Sequence, residues 1–303
     1  MNRPRLTLYF RLIRPHFLLG AILLYALGVG IAKYLGVTIN WGLYILGQAW
    51  VTMMQLSTQM LNEYFDAPAD ADNPNRTPFS GGSGILGPGK LPRATALWLA
   101  YTCLAIVASL SVLLIRAVGA GWPIFWVMTL IFLGAFFYSV PPVHLAASGY
   151  GELTTSLIVS NLVPALAFLL QKGELHRLLA MSTFPLTALH LAMMLTIELP
   201  DYATDVKHEK RTLLVRLGWQ RGMTMHNMLI LFAYVLFGVA LVFRLPLSIA
   251  LPVFFTLPLG LFQIWMMYRI SEGAKPNWIA LTMTAAALFG LTAYLLTFAF
   301  WTK

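Results

Sequence analysis

Continuous apolar runs of about 20 residues, the length that carries a helix across a bilayer, recur along the whole chain. They lie near residues 16–35, 41–62, 94–115, 122–140, 153–170, 178–199, 224–243, 246–268 and 278–301. The runs do not alternate apolar with polar, which excludes an outer-membrane barrel. In lipid, where no water can satisfy the backbone, such runs have to be helical. The pattern predicts an all-α integral membrane protein, one domain over residues 1–303, with nine transmembrane helices in a bundle. The first run follows Arg3, Arg5, Arg11 and Arg14 as the core of a signal peptide would. No small-residue cleavage site comes after it, so it is read as a retained helix.

Composition agrees: 59% of residues are hydrophobic and 10% charged, with a mean hydropathy of +0.74. The single cysteine, Cys103, excludes a disulfide scaffold. The net charge of +9 is spread over the ends of apolar runs, which fits a bilayer surface and not a nucleic-acid partner. With nine crossings, most Lys and Arg fall on the side of the amino terminus, which the positive-inside rule assigns to the cytoplasm. The expected location is the cytoplasmic membrane of a prokaryote. Acidic residues are still more one-sided, since only Glu174 of the 11 Asp and Glu falls on the outer side. Acids do little to set topology, so this bias needs a chemical cause.

Two cytoplasmic connections, residues 63–93 and 200–223, are long and polar, and are expected to form a cap of two loops. Within the second, Lys207–Gly218 has Leu213, Leu214 and Leu217 at helical spacing and predicts a short amphipathic helix ended by Gly218.

The second apolar run leads into Asn62, Asp66 and Asp70, and the sixth into Asp201 and Asp205. Each set repeats every four residues and so shares one helix face, although Pro68 is expected to interrupt the first helix before Asp70. Like charges stacked at a membrane surface repel unless a cation lies between them. Carboxylates with a carboxamide suit Mg²⁺, which takes a few protein oxygens and completes its shell with water and phosphate. The expectation is one ion per cluster, shared with a diphosphate, with Arg76, Lys207, Lys210 and Arg211 neutralising the remaining phosphate charge.

Other candidates are weaker. Gly84, Gly89 and Lys90 have the Walker A spacing, but Leu91 replaces the metal-binding hydroxyl and no strand precedes them, so the stretch is read as a lid or a turn. Tyr138 is either an interfacial anchor or a ring that stabilises a carbocation. Glu152 either orients an acceptor or caps a helix. The six histidines show no ligand spacing, and His144 and His190 are read as packing or surface residues.

At these positions the chain closely resembles the UbiA superfamily of intramembrane prenyltransferases. The resemblance rests on Arg14-Pro15, on Asn62, Asp66 and Asp70, on Asp201 and Asp205 followed by Lys207 and Lys210-Arg211-Thr212-Leu213, and on nine runs. Gly149-Tyr150-Gly151-Glu152 and Arg216-Leu217-Gly218 are most similar to the branch that prenylates 1,4-dihydroxy-2-naphthoate. Pro200 stands where that branch commonly has arginine, and Glu63 where it has aspartate.

The resemblance implies that Mg²⁺ held by Asn62, Asp66, Asp70, Asp201 and Asp205 binds a polyprenyl diphosphate, with Asp66, Asp70, Asp201, Asp205 and Tyr138 catalytic. Ionisation gives an allylic cation, and an aromatic acceptor near Tyr138 and Glu152 captures it. A chlorin, haem or glycerol phosphate lipid is the alternative acceptor. A secondary transporter is the rival class, but its sites tend to lie near the midplane, whereas these acids sit at span ends.

Overall fold

A computed structural model describes residues 3–87, 90–119 and 121–303, with side chains from residue 6. It is all helical: α1 Arg3–Ile13, α2 His16–Tyr34, α3 Trp41–Asp72, α4 Arg93–Val118, α5 Trp122–Phe136, α6 Gly151–Leu157, α7 Val163–Lys172, α8 Arg177–Glu198, α9 Tyr202–Lys207, α10 Leu213–Leu217, α11 Trp219–Val242, α12 Leu247–Phe254, α13 Leu257–Ser271 and α14 Trp278–Thr302. Seven helical segments among the described residues are long and apolar enough to cross a membrane, counting α6–α7, α8–α9 and α12–α13 as one each. The second and fourth expected spans differ. α3 has 32 residues but carries the polar residues of the site, and α5 has 15 because the chain turns at Phe137, ahead of Pro141-Pro142.

The interior is built where helices approach closely. Leu24, Tyr25 and Leu27 of α2, Phe168 of α7, Phe237 of α11 and Phe300 of α14 are fully buried. With lipid outside, helices gain little from hydrophobicity alone, and small residues that admit close contact matter more. A Cβ added at Gly28 would lie 2.1 Å from the Pro164 carbonyl oxygen, which places α2 directly on α7. The outward faces carry exposed Trp98, Trp122, Val242 and Phe255. A patch of this extent is a lipid-facing surface, because water would not tolerate it.

Breaks in the apolar helices are filled by side chains. A π-turn, Ile158–Leu162, joins α6 to α7, and Asn161 donates from it to Thr187 of α8. Between α12 and α13, Thr256 donates to the Val253 carbonyl at 2.7 Å and meets Tyr234 and Thr292 hydroxyls at 2.8 and 2.9 Å.

Two expectations are corrected. Pro68 does not interrupt α3, which runs on to Asp72. Proline removes one intrahelical bond and so frees the carbonyl four residues back. That carbonyl, of Tyr64, accepts instead from Arg93 Nε at 2.6 Å, while the Arg93 guanidinium sits 4.3 Å from the Tyr64 ring centre. The amphipathic helix is shorter than Lys207–Gly218. α9 ends at Lys207, Glu209 has a positive φ of 56°, and the Lys210 amide turns back to the Asp205 carbonyl. α10 begins only after Thr212, whose side chain accepts from the Val215 amide, and it ends at Gly218 with a φ of 78°.

Candidate active site

Because α3 stays helical through Pro68, Asn62, Asp66 and Asp70 lie along one face of its last turns. The second cluster has different local structure. α8 ends at Glu198, a 3-10 turn Leu199–Asp201 carries Asp201, and α9 carries Asp205. α3 and α8–α9 meet at these ends, so the two clusters face each other.

Lys210 joins them. Its ammonium is 2.9 Å from Asp66 Oδ2 and 3.8 Å from Asp205 Oδ1, with its side chain 15% exposed. Burial pushes the Lys210 pKa down, but Asp66 and Asp205 more than offset this and hold it above the ordinary lysine value. A second link is Asn73, just past α3, whose amide donates to Asp201 Oδ1 at 2.6 Å. The Gly81 amide donates to Asp201 Oδ2 at 3.2 Å. At Gly82, φ is +63° and an added Cβ would sit 2.2 Å from Asp70 Oδ2, so only glycine lets the loop close over that carboxylate.

Of the four expected diphosphate cations, only Lys210 has its charge among the carboxylates. Lys207 pairs at the surface with Asp72 at 2.7 Å, beside His208 at 3.0 Å. Arg76 donates to the Asp70 backbone carbonyl. Arg211 is exposed, and its amide donates to the Ala147 carbonyl at 3.0 Å.

Among the described residues, no three His, Cys, Asp or Glu side chains converge closely enough to hold a metal ion by themselves. Asn62 Oδ1 accepts from the Ser139 hydroxyl at 3.2 Å, and Asp201 is occupied by Asn73 and Gly81. The donor set still fits Mg²⁺, which commonly takes one or two protein carboxylates and leaves other positions to water and phosphate. Asp66 and Asp205 already share one cation, and Asp70 stands beside them.

Tyr138 lies in the turn after α5, where the Leu145 and Ala146 amides return to the Phe137 and Tyr138 carbonyls. Its hydroxyl is within electrostatic reach of Glu152, Glu198, Asp66 and Asp205. Glu152 is 1% exposed, and its Oε1 accepts from the Leu213 amide at 2.5 Å, tying α6 to the start of α10.

The family model of the UbiA prenyltransferase family matches residues 22–284, most of the chain. The chain belongs to the UbiA prenyltransferase family. It is 23% identical over 219 residues to 1,4-dihydroxy-2-naphthoate octaprenyltransferase of Bacillus subtilis strain 168, covering 71% of this chain and 68% of that protein. A UbiA homologue from Archaeoglobus fulgidus, solved bound to GPP and Mg²⁺, superposes with a TM-score of 0.69 at 17% identity, covering 98% of this chain and all of that one. The structure of a digeranylgeranylglyceryl phosphate synthase superposes with a TM-score of 0.62 at 15% identity, covering 99% and 98%.

In this UbiA prenyltransferase several site residues escaped sequence reasoning. Arg14 donates to the Pro78 carbonyl at 2.7 Å, lies 3.5 Å from Glu63 and stacks 4.4 Å over the Phe17 ring. Gln55 and Gln59, one turn apart on α3, hold its segment by the Phe17 and Ile13 carbonyls at 2.7 and 2.6 Å. Glu63 accepts from the Ser83 amide and hydroxyl at 2.8 and 2.6 Å and so pins the glycine-rich loop. That loop carries Ile85 and Leu91 into a small core with Leu12, Met60 and Leu61. Lys90 donates within it to the Gly84 carbonyl at 2.7 Å, and Gly89 lies outside the described residues. His144 stands at the edge of the site, 3.9 Å from Asp66, whereas His190 packs in the interior against the Ser156 hydroxyl at 2.9 Å and the Phe289 ring. Asn73 and Glu198 had a faint signal, since each lies three residues from a cluster aspartate.

Proposed function

We propose that this prenyltransferase moves a polyprenyl group from its diphosphate to a hydroxylated aromatic acceptor, in a Mg²⁺-dependent reaction at the cytoplasmic face of the membrane. The observation that carries the reading is the convergence of Asp66 and Asp205 on Lys210, with Asp70 and Asp201 alongside. So much negative charge at a membrane surface is tolerable only where cations come and go with a substrate. Asp66, Asp70, Asp201 and Asp205, with Asn62, would hold the metal, which when bound supplies Lewis-acid stabilisation of the departing diphosphate.

The chain's own residues do the remaining work. Lys210 turns its ammonium from the aspartates to the diphosphate oxygens as these gain charge, with Arg76, Lys207 and Arg211 adding positive potential around the entrance. Tyr138 presents its ring to the allylic cation formed when the carbon–oxygen bond breaks. The loop over residues 73–87, pinned by Glu63 and Asp201, excludes water that would otherwise capture that cation. The acceptor lies beside Tyr138 and Glu152; its electron-rich ring carbon forms the new bond to the cation and then gives up its proton to the departed diphosphate or a carboxylate. In this reading the chain crosses the membrane nine times, with α3 and α5 completing the count, the two polar loops as a cap and the amino terminus inside.

The Bacillus relative supports an aromatic acceptor, and the glycerol phosphate lipid enzyme supplies the alternative. A transporter is disfavoured because both carboxylate clusters lie at helix ends on one side and not near the midplane. The test is to incubate the purified protein with radiolabelled prenyl diphosphate, Mg²⁺ and either hydroxyaromatic acids or glycerol phosphate lipids. Label should move to an aromatic acceptor, and chelator or Asp66→Ala should abolish the transfer while the protein stays folded. Transfer that persists in excess chelator, or reaches only the lipid, overturns the reading.

A further inference from the structure

The glycine-rich loop is held from two helices. Where it begins, Arg14 and His16 meet the Pro78 carbonyl at 2.7 and 3.0 Å, and the Phe79 ring stands edge-on to the rings of His16 and Phe17, with centres 5.3 and 5.7 Å apart. Further on, Glu63 of α3 takes both donors of Ser83, the amide at 2.8 Å and the hydroxyl at 2.6 Å, with Arg14 3.5 Å away. The turn from Thr77 to Ser80 is stiffened by its own bonds: the two hydroxyls meet at 2.9 Å, and Thr77 Oγ1 accepts from the Ser80 amide at 3.0 Å. Between these anchors lie only Gly81 and Gly82, and they are the residues that reach the aspartates. The Gly81 amide holds Asp201 Oδ2, and Gly82 packs against the Asp70 carboxylate. Both have positive φ, 72° and 63°, and glycine has little stiffness of its own, so the anchors fix where the two residues sit.

Asp201 is steadied at both oxygens, by Asn73 on Oδ1 and by Gly81 on Oδ2, and without the second bond its carboxylate can turn about the first. We propose that Glu63 is a positioning residue for prenyl transfer: by fixing Ser83 it sets Gly81 and Gly82 against Asp201 and Asp70, and so orients one carboxylate from each cluster. The proposal rests on the assignment of Asp70 and Asp201 to the metal made above. Glu63 itself touches neither metal nor substrate and acts through the loop. Groups that orient a metal ligand from behind typically change metal affinity or activity by about 10–100-fold when removed. Glutamine fills the same space but has one accepting oxygen and an NH2 that only donates, so it cannot take both Ser83 donors.

The test compares full-length wild type with Glu63→Gln. Hydrogen exchange in chelator reads the loop without any turnover: amides 81–83 should exchange about tenfold faster in the variant, while the apolar stretches of α3 and α8 keep their protection. The Mg²⁺ concentration giving half of the metal-induced rise in unfolding midpoint should increase by about tenfold, and that for half-maximal prenyl transfer should follow it. With the loop displaced, more of a radiolabelled prenyl diphosphate should end as prenyl alcohol and less on the acceptor, because water reaches the cation. If Glu63→Gln does not accumulate as folded protein, Ser83→Ala removes the hydroxyl bond from the loop side and should move the same readouts in the same direction by a smaller factor. Unchanged loop exchange or an unchanged Mg²⁺ midpoint in the folded variant overturns the proposal. Faster exchange spread equally through α3 and α8 also overturns it, and marks Glu63 as a residue of general stability. A wild type whose prenyl transfer needs no Mg²⁺ is a separate outcome, seen before any variant is made, and it removes the metal assignment on which the proposal stands.

Discussion

Replacing Lys210 by methionine removes the one ammonium that the two carboxylate clusters share while keeping a side chain of similar length. At an effective dielectric constant of about 20, unit charges at the observed 2.9 and 3.8 Å attract by about 6 and 4 kcal/mol. Much of this is offset by the cost of burying the charges, and breaking a buried pair by deleting one partner typically costs about 3–5 kcal/mol. That range is the expected loss for Lys210→Met in chelator, because Asp66 and Asp205 are left facing each other. In thermal unfolding it corresponds to a midpoint lower by on the order of 5–10 °C. Added Mg²⁺ should shrink the gap, since a divalent ion replaces the missing charge.

The pH dependence has a definite sign. The folded pKa of Lys210 is raised, so its contribution is fully present below the ordinary lysine value and is lost only as pH rises through the folded value. Its ammonium therefore stays charged up to about pH 9, and the loss with rising pH begins only above that. Equal stability of the two proteins in chelator would refute the reasoning, and so would a gap that Mg²⁺ leaves untouched.

Three further outcomes follow from the packing. Asn73→Ala breaks a hydrogen bond to a carboxylate worth about 1.5–3 kcal/mol, so prenyl transfer should fall tenfold or more and Mg²⁺ should be needed at higher concentration; a metal titration of activity checks both. Gly28→Ala drives a methyl into the Pro164 carbonyl and should destabilise by about 1–3 kcal/mol, read as a lower unfolding midpoint, whereas Gly238→Ala, with nothing within 4 Å, should not. A single cysteine at Gln220, in a background lacking the buried Cys103, should react with an impermeant reagent only from the cytoplasmic side, and labelling from outside would reverse the orientation.

The sequence by itself determined the class of fold and singled out the aspartates of the candidate site. Runs of apolar residues can only be helices in lipid, and carboxylates repeated every four residues share a face within a helix, so Asp66, Asp70, Asp201 and Asp205 stood out as candidates without coordinates. Tertiary structure decided everything that depends on a distant partner. Pro68 looked like a helix break because its cost is local, but the freed Tyr64 carbonyl is satisfied by Arg93, 29 positions away, and the helix continues. Four cations were equivalent on paper, yet only Lys210 reaches the aspartates, because the chain reverses at Glu209 and returns the Lys210 amide to Asp205. Glu63 read as a departure from its relatives until its contacts with Ser83 and Arg14 were visible. Glu198 had only the faint signal of standing three residues before Asp201, because a lone glutamate at a helix end is ordinary until the fold sets it against Glu152, 46 residues earlier in the chain.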